Sequence, residues 1–204
     1  ASVPENGNPS VAISAPSAAE SPAPALAPTK PFDEDSLYQI LVADVALTRG
    51  QFKTALENYL MQARQTRDPG IIQLTHSIAA HQEDARAILE SAQLWIEVEP
   101  NEANAHRAAL QAFALHKRPF EALEQASWLY RNDNDLEAFL AVTAIDEGNK
   151  QALIPRLMGA YRALPLEPEK QATAELAVAI LFRELGELDS AVTTARYFLT
   201  LAPD

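Results

Sequence analysis

The chain has 204 residues, a formal net charge of −12 and no cysteine. The acidic excess argues against binding to nucleic-acid backbones or anionic lipid, and the missing cysteines exclude disulfides and thiolate metal sites. No run of about 18 apolar residues is present, so the sequence predicts no membrane-spanning helix.

Residues 1–31 form a segment rich in proline, alanine and serine. It holds seven of the fourteen prolines and almost no large apolar side chains. Such a segment cannot bury enough apolar surface to offset the entropy lost on ordering. We therefore predict a disordered tether over residues 1–31, followed by the folded part over residues 32–204.

The folded part is predicted to be all-α and built from tandem helix-turn-helix repeats. Dividing its length by a repeat of about 34 residues gives about five units. The last unit is the clearest: an apolar-periodic helix over residues 172–185, a turn at Gly186, and a second helix over residues 189–201 that Pro203 closes. Glycine suits the end of the first helix and proline stops the second.

The same pattern shifts along the chain. Gly50 is the turn residue of the first unit, while Glu83 stands at the turn of the second, whose first helix is expected to be short. Pro119 falls in the first turn of a helix, where proline is tolerated, but Pro155 lies inside one, where it should kink the helix or delay its start. The approximate units are 36–68, 69–102, 103–133, 134–167 and 168–204.

The spacing of Gly186, Ala191, Ala195 and Pro203 resembles the tetratricopeptide motif. This resemblance implies hairpins stacked as a right-handed superhelical solenoid, whose concave groove is lined by the first helix of each hairpin. Such proteins bind protein or peptide partners and are scaffolds, not enzymes.

Projecting the groove rule onto the sequence gives a partner-binding surface. Arg107 and Arg183 are expected to pair with backbone carbonyls or a carboxylate of a bound peptide. The alternative for Leu37, Val142 and Leu176 is packing against a neighbouring helix. The predicted surface residues are Leu37, Ile40, Asp44, Leu47, Gln73, Ser77, Asn104, Arg107, Gln111, Val142, Leu176, Ile180 and Arg183.

No pattern indicates a metal, a cofactor or catalysis. His76 and His81 are five residues apart, whereas a helical metal pair needs a spacing of about four. The alternating Asn and Asp residues at 132–135 lack the glycine and glutamate of a calcium loop and are better explained as a helix start. Nucleophile-base motifs and phosphate-binding glycine loops are also missing, so we expect no cofactor and no enzymatic activity.

Residues 31–46, PFDEDSLYQILVADVA, follow the proline-rich segment. They resemble the start of a family of Gram-negative outer-membrane lipoproteins, which are tetratricopeptide adaptors for a periplasmic carboxyl-terminal processing protease. The resemblance implies an adaptor that activates this protease and presents cell-wall hydrolase substrates to it at the periplasmic face of the outer membrane. It also implies that the opening helix takes part in docking the protease.

Two further expectations accompany this resemblance. The family carries its lipid on an N-terminal cysteine, which this sequence lacks, so membrane attachment would need an anchor absent from this chain. The array is also expected to be the N-terminal part of a longer one. The alternative is a generic co-chaperone or assembly scaffold, cytoplasmic in location, that captures peptide segments in its groove. Scattered arginines, in place of a clustered clamp for acidic chain termini, favour the adaptor.

Overall fold

The computed structural model describes residues 33–145, 148 and 150–201, so the predicted tether over residues 1–31 lies outside the described part. The described residues form ten α-helices and one 3₁₀ turn and contain no strand. The helices are α1 (Glu34–Thr48), α2 (Phe52–Thr66), α3 (Pro69–His81), α4 (Ala85–Val98), α5 (Ala103–Leu115), α6 (Pro119–Asp133), α7 (Leu136–Ala141), α8 (Lys150–Arg162), α9 (Pro168–Leu185) and α10 (Leu188–Leu201).

Acidic residues mark the start of the odd-numbered helices. Asp33, Asp68, Glu102 and Asp135 precede α1, α3, α5 and α7, and each side chain accepts a hydrogen bond from a backbone N–H of the first turn. A carboxylate there satisfies a free donor and opposes the positive end of the helix dipole. Glu167 precedes α9 without such a side-chain bond.

A left-handed residue precedes the second helix of each of the five hairpins. The backbone φ is +72° at Gly50, +52° at Glu83, +55° at Lys117, +81° at Gly148 and +81° at Gly186. In each case the second helix begins two residues later. Glu83 therefore performs the turn that the sequence assigned to it, although it carries a side chain that disfavours this conformation.

The hairpins stack so that each contacts the next. Between α1 and α2, Ala43 and Ala55 are fully buried, which lets the two helices approach closely. Further along, Phe139 of α7 packs edge-on against Tyr161 of α8 with ring centroids 5.0 Å apart, and the Tyr161 hydroxyl donates to the Phe139 carbonyl at 2.8 Å. The predicted all-α solenoid of tetratricopeptide-type hairpins is confirmed.

One expectation about individual helices is wrong, and of the two effects expected of Pro155, a kink or a delayed start, the delayed start is wrong while the kink stays a prediction. The short first helix belongs to the fourth hairpin, because α7 has six residues before a 3₁₀ turn over Val142–Ala144, whereas α3 has 13 residues, as α5 does. Pro155 lies inside α8 but does not delay its start, since α8 begins two residues after Gly148 like the other second helices. The left-handed residue Gly148 determines where α8 begins. Pro155 only removes one backbone N–H from a helix that has already started.

None of the described helices is long and apolar enough to span a bilayer.

Candidate functional site

An apolar stripe is exposed along α1. It consists of Leu37, Tyr38, Leu41 and Val45, whose exposed fractions are 60%, 63%, 60% and 39%. Leu37, Tyr38 and Leu41 also line an open hollow of about 470 Å³, together with Ile40, Glu34 and Asp44. Four large apolar side chains on one helix make a contiguous patch, and such patches commonly mark interaction sites.

Within the described residues α1 has no helix before it, unlike the first helices of the later hairpins. Tyr38, Leu41 and Val45 lie 12, 9 and 5 residues before the left-handed Gly50. Residues at the same three positions before the left-handed turns of the third and fifth hairpins are buried, and α5 and α9 pack against the preceding helices α4 and α8. In the second and fourth hairpins one residue of each set, Leu74 and Leu136, is exposed. These residues are Ala105, Ala108 and Ala112 on α5, and Ala174, Ala177 and Leu181 on α9.

The other predicted residues of α1 are held by its own hairpin. Ile40 and Leu47 are half-buried and pack against a cluster of buried apolar residues from α1 to α4, while Asp44 accepts a hydrogen bond from the Tyr59 hydroxyl of α2. Burial raises the pKa of Tyr59, and the hydrogen bond to Asp44 raises it further. Asp44 is thus exposed yet fixed in direction, at the border of the stripe.

A polar contact recurs with the repeat on α3 and α5. Gln73 of α3 donates to Glu99 at 3.2 Å, and Arg107 of α5, 34 residues later in the chain, forms an ion pair with Asp133. Both contacts span 26 residues and join a first helix to the end of its hairpin. The predicted Ser77 is exposed and donates to the Gln73 carbonyl at 3.0 Å.

Arg107 is engaged more fully than the sequence indicated. Its guanidinium also donates to Asp135 at 3.2 Å, and the hydrogen bond with Asp133 is the largest cause that raises the pKa of Arg107. The predicted Asn104 lies one turn away and accepts a weak contact from Arg107 at 3.5 Å. Arg107 therefore binds carboxylates of its own chain.

A pocket lies between α5 and α7. It has a volume of about 290 Å³, and Arg107 and Gln111 stand at its edge, above Leu110, Ala138 and Ala141. Two of the predicted groove residues thus meet at one cavity, joined by a floor of small and apolar side chains.

Val142 matches the alternative given for it, packing inside the array, and does not belong to an exposed groove surface. It is fully buried in the core because α7 ends at Ala141 and the chain turns inward through the 3₁₀ segment. In the fifth hairpin Leu176 and Ile180 are half-buried on α9, while Arg183 is exposed and pairs with its neighbour Glu184 at 3.0 Å.

The sequence did not single out a second depression, which lies on the even-numbered helices. It has a volume of about 750 Å³ between α2 and α4, and the Arg64–Glu90 ion pair crosses it beside Leu60 and Met61. The exposed Met61, a large apolar residue on a charged helix face, is the signal that could have indicated it.

The histidines bridge helices. His76 is 3.0 Å from the Ser91 hydroxyl, and His106 stacks on Trp128 with ring centroids 3.7 Å apart while hydrogen-bonding to Gln125. Burial lowers the pKa of His76. Within the ranges that the structure covers, no group of three or more potential ligands could hold a metal ion.

The chain is similar in sequence to a known protein with TPR repeats. No family model matches the chain. The chain is similar to a TPR repeat-containing protein of Pseudomonas aeruginosa, with 35% identity over 116 residues. The matched region covers 56% of this chain and 20% of the relative, so the chain spans about a fifth of that protein's length.

Among solved structures, the crystal structure of MamA protein is similar at 14% identity and a TM-score of 0.49. That match covers 83% of this chain and 93% of the other.

Proposed function

We propose that the chain is a non-enzymatic scaffold that binds and activates a periplasmic carboxyl-terminal processing protease and presents cell-wall hydrolase substrates to it. The general part, a protein-interaction scaffold, is supported by the stacked hairpins and by the similarity to a TPR repeat-containing protein. The adaptor role and its location at the periplasmic face of the outer membrane rest on the sequence resemblance of residues 31–46.

The exposed stripe on α1 carries this proposal. Leu37, Tyr38, Leu41 and Val45 occupy one helix, and three of them stand at positions whose counterparts in the third and fifth hairpins are buried. A partner helix lying on this stripe would supply the missing layer and bury its apolar area. The opening helix is therefore the proposed docking element.

A pull-down from a Gram-negative envelope extract tests the docking role. The chain is compared with its L37E/L41E variant, which places two charges on the stripe. Both residues are exposed, so the variant keeps its fold, which circular dichroism verifies. We expect recovery of a carboxyl-terminal processing protease to fall about tenfold or more, because a buried unpaired charge opposes docking.

The matched control is L188E/V192E on α10, where two apolar residues are similarly exposed. This control should leave recovery unchanged. Equal loss in both variants, or recovery of no envelope protease by the unaltered chain, contradicts the adaptor role.

The second candidate is a generic co-chaperone or assembly scaffold, cytoplasmic in location, that captures peptide segments in the groove. The pocket between α5 and α7 favours it, because Gln111 and the small residues around it leave room for a side chain of a bound segment. Capture of partners that survives L37E/L41E would support this candidate.

A further inference from the structure

The pocket between α5 and α7, called here the α5–α7 pocket, is apolar inside. Leu110 and Ala114 contribute from α5, Ala138 and Ala141 from α7, and Ile145 follows the 3₁₀ turn. Its volume of about 290 Å³ is at the lower limit of small-molecule sites, and it is open to the surface. Such a site suits one or two side chains of a bound segment.

The open space of the pocket lies beside two alanines of the short helix α7, Ala138 and Ala141. The helix has six residues, and the β-branched pair Val142 and Thr143 continues it as a 3₁₀ turn. Branching at Cβ lowers helix propensity. With alanine at positions 138 and 141, no large side chain from α7 fills the space beside α5.

The rim of the pocket is acidic. Asp135 and Glu137 line it, and Asp133 stands behind Arg107, which forms ion pairs with both Asp133 and Asp135. The pocket and its surroundings thus hold three carboxylates and a single guanidinium, an excess of two negative charges. Because Arg107 is already held by two carboxylates, it is not free to clamp a carboxylate of a partner.

We propose that the α5–α7 pocket binds an apolar side chain of a protein segment that carries lysine or arginine on either side of it. The apolar floor takes the side chain, and Asp135 and Glu137 attract the flanking cations. The formal charge of −12 on the chain draws such a segment in from a distance. This inference rests on the proposed function as a binding scaffold and names the chemistry of the segment that it takes.

Fluorescence anisotropy with labelled peptides tests the pocket. The probe is Ser-Gly-Lys-Leu-Leu-Lys-Gly-Ser, compared with Ser-Gly-Glu-Leu-Leu-Glu-Gly-Ser and with Ser-Gly-Lys-Ala-Ala-Lys-Gly-Ser. We expect the first peptide to bind at least tenfold more tightly than either other peptide. Its affinity should weaken between roughly 50 mM and 200 mM NaCl, because salt screens the rim charges.

Two variants locate the binding. A141F plugs the pocket from an exposed position and should weaken binding of the first peptide about tenfold. E137Q removes one rim charge and should weaken it about threefold while reducing its salt dependence. The matched controls are A80F on α3 and E57Q on α2, which alter exposed residues outside the pocket and should change nothing.

Equal binding of the lysine and glutamate peptides, or unchanged binding in both A141F and E137Q, overturns the inference. The adaptor role stands or falls separately, because protease recovery through α1 is measured with the L37E/L41E variant. If the chain recovers the protease but binds none of the peptides, the proposed function is supported and the proposal for the α5–α7 pocket is overturned.

Discussion

Left-handed turn residues are the positions where single side chains act most directly on stability. Glu83 and Lys117 adopt φ values of +52° and +55° at positions where other hairpins have glycine. A left-handed conformation costs a non-glycine residue about 1–2 kcal/mol, partly offset by the greater unfolded-state freedom of glycine. We expect E83G and K117G each to raise the free energy of unfolding by about 1 kcal/mol in urea titrations.

The converse change provides the control. Gly186 has φ +81° and open space around it, so an added Cβ meets no neighbour and the backbone conformation is the whole cost. G186A should lower the free energy of unfolding by about 1 kcal/mol. A stabilising effect of G186A, or a destabilising one of E83G, would show that side-chain contacts outweigh the backbone at these turns.

His76 gives the fold a pH dependence in the mildly acidic range. Burial lowers its pKa in the folded state, so the unfolded chain binds the proton more readily. Stability is then complete above the unfolded pKa of about 6.5 and is lost as the pH falls through that value toward the lower folded pKa. We expect the urea concentration at the unfolding midpoint to decrease as the pH is lowered from 7.5 to 5.

The H76Q variant should reduce this fall, because glutamine does not titrate and can still hydrogen-bond to Ser91. Urea titrations of both proteins at each pH make the comparison. An identical pH dependence in H76Q and the unaltered chain would assign the effect to other groups.

Single residues also show what the sequence could and could not predict. The turn at Glu83 was predictable because it occupies the place of a repeat glycine. The engagement of Arg107 was not, since its partners Asp133 and Asp135 come from the far end of the hairpin and their approach depends on how the helices pack. The roles of the remaining predicted groove residues stay predictions.

Among the helices, α8 carries a stability cost that can be removed. Pro155 is its sixth residue and lacks the N–H that would bond to the preceding turn. The side chain is exposed, so its replacement leaves no cavity. We expect P155A to raise the free energy of unfolding by about 2 kcal/mol, measured by urea titration.

P165A serves as the comparison, because Pro165 is exposed and lies in the loop between α8 and α9, outside any helix. It should change stability by less than P155A and in the opposite sense, since proline in a loop restricts the unfolded chain. A neutral result for P155A would mean that the surrounding turn has adapted to the missing hydrogen bond.

Helix positions followed from apolar periodicity, glycine and proline, and from acidic residues at helix starts. The early end of α7 did not, although Val142 and Thr143 are poor helix formers. β-Branched residues occur in many complete helices, and what decides the matter here is the burial of Val142 beside Phe139 and Tyr161. That burial depends on how the hairpins pack together, which the apolar periodicity of a single helix does not predict.

Across the described residues, burial falls toward the two end helices. Seven residues of α5 are buried, against three in α1 and none in α10. In a repeat array, stability is a sum over neighbouring interfaces, so helices with fewer interfaces open more often. We expect amide hydrogen exchange to be fastest in α10, slower in α1 and slowest in α5, as measured by mass spectrometry of peptic peptides.

The ranking has an internal control. Peptides of α5 and α6 belong to the same hairpin and each contains seven buried residues, so they should exchange at similar rates. Protection in α10 equal to that in α5 would contradict the neighbour-sum picture and point to a single cooperative core.

Helices of this array contact helices near them in sequence, and bonds such as Tyr130 to Thr173 reach across 43 residues at a time. Residues 33 and 201 are therefore connected through a series of local helix–helix interfaces. Tension applied between residues 33 and 201 acts on all of these interfaces at once, and the weakest interface separates first while the others remain intact. Under tension we therefore expect the array to lengthen in discrete steps, each of which corresponds to the separation of one hairpin from its neighbours.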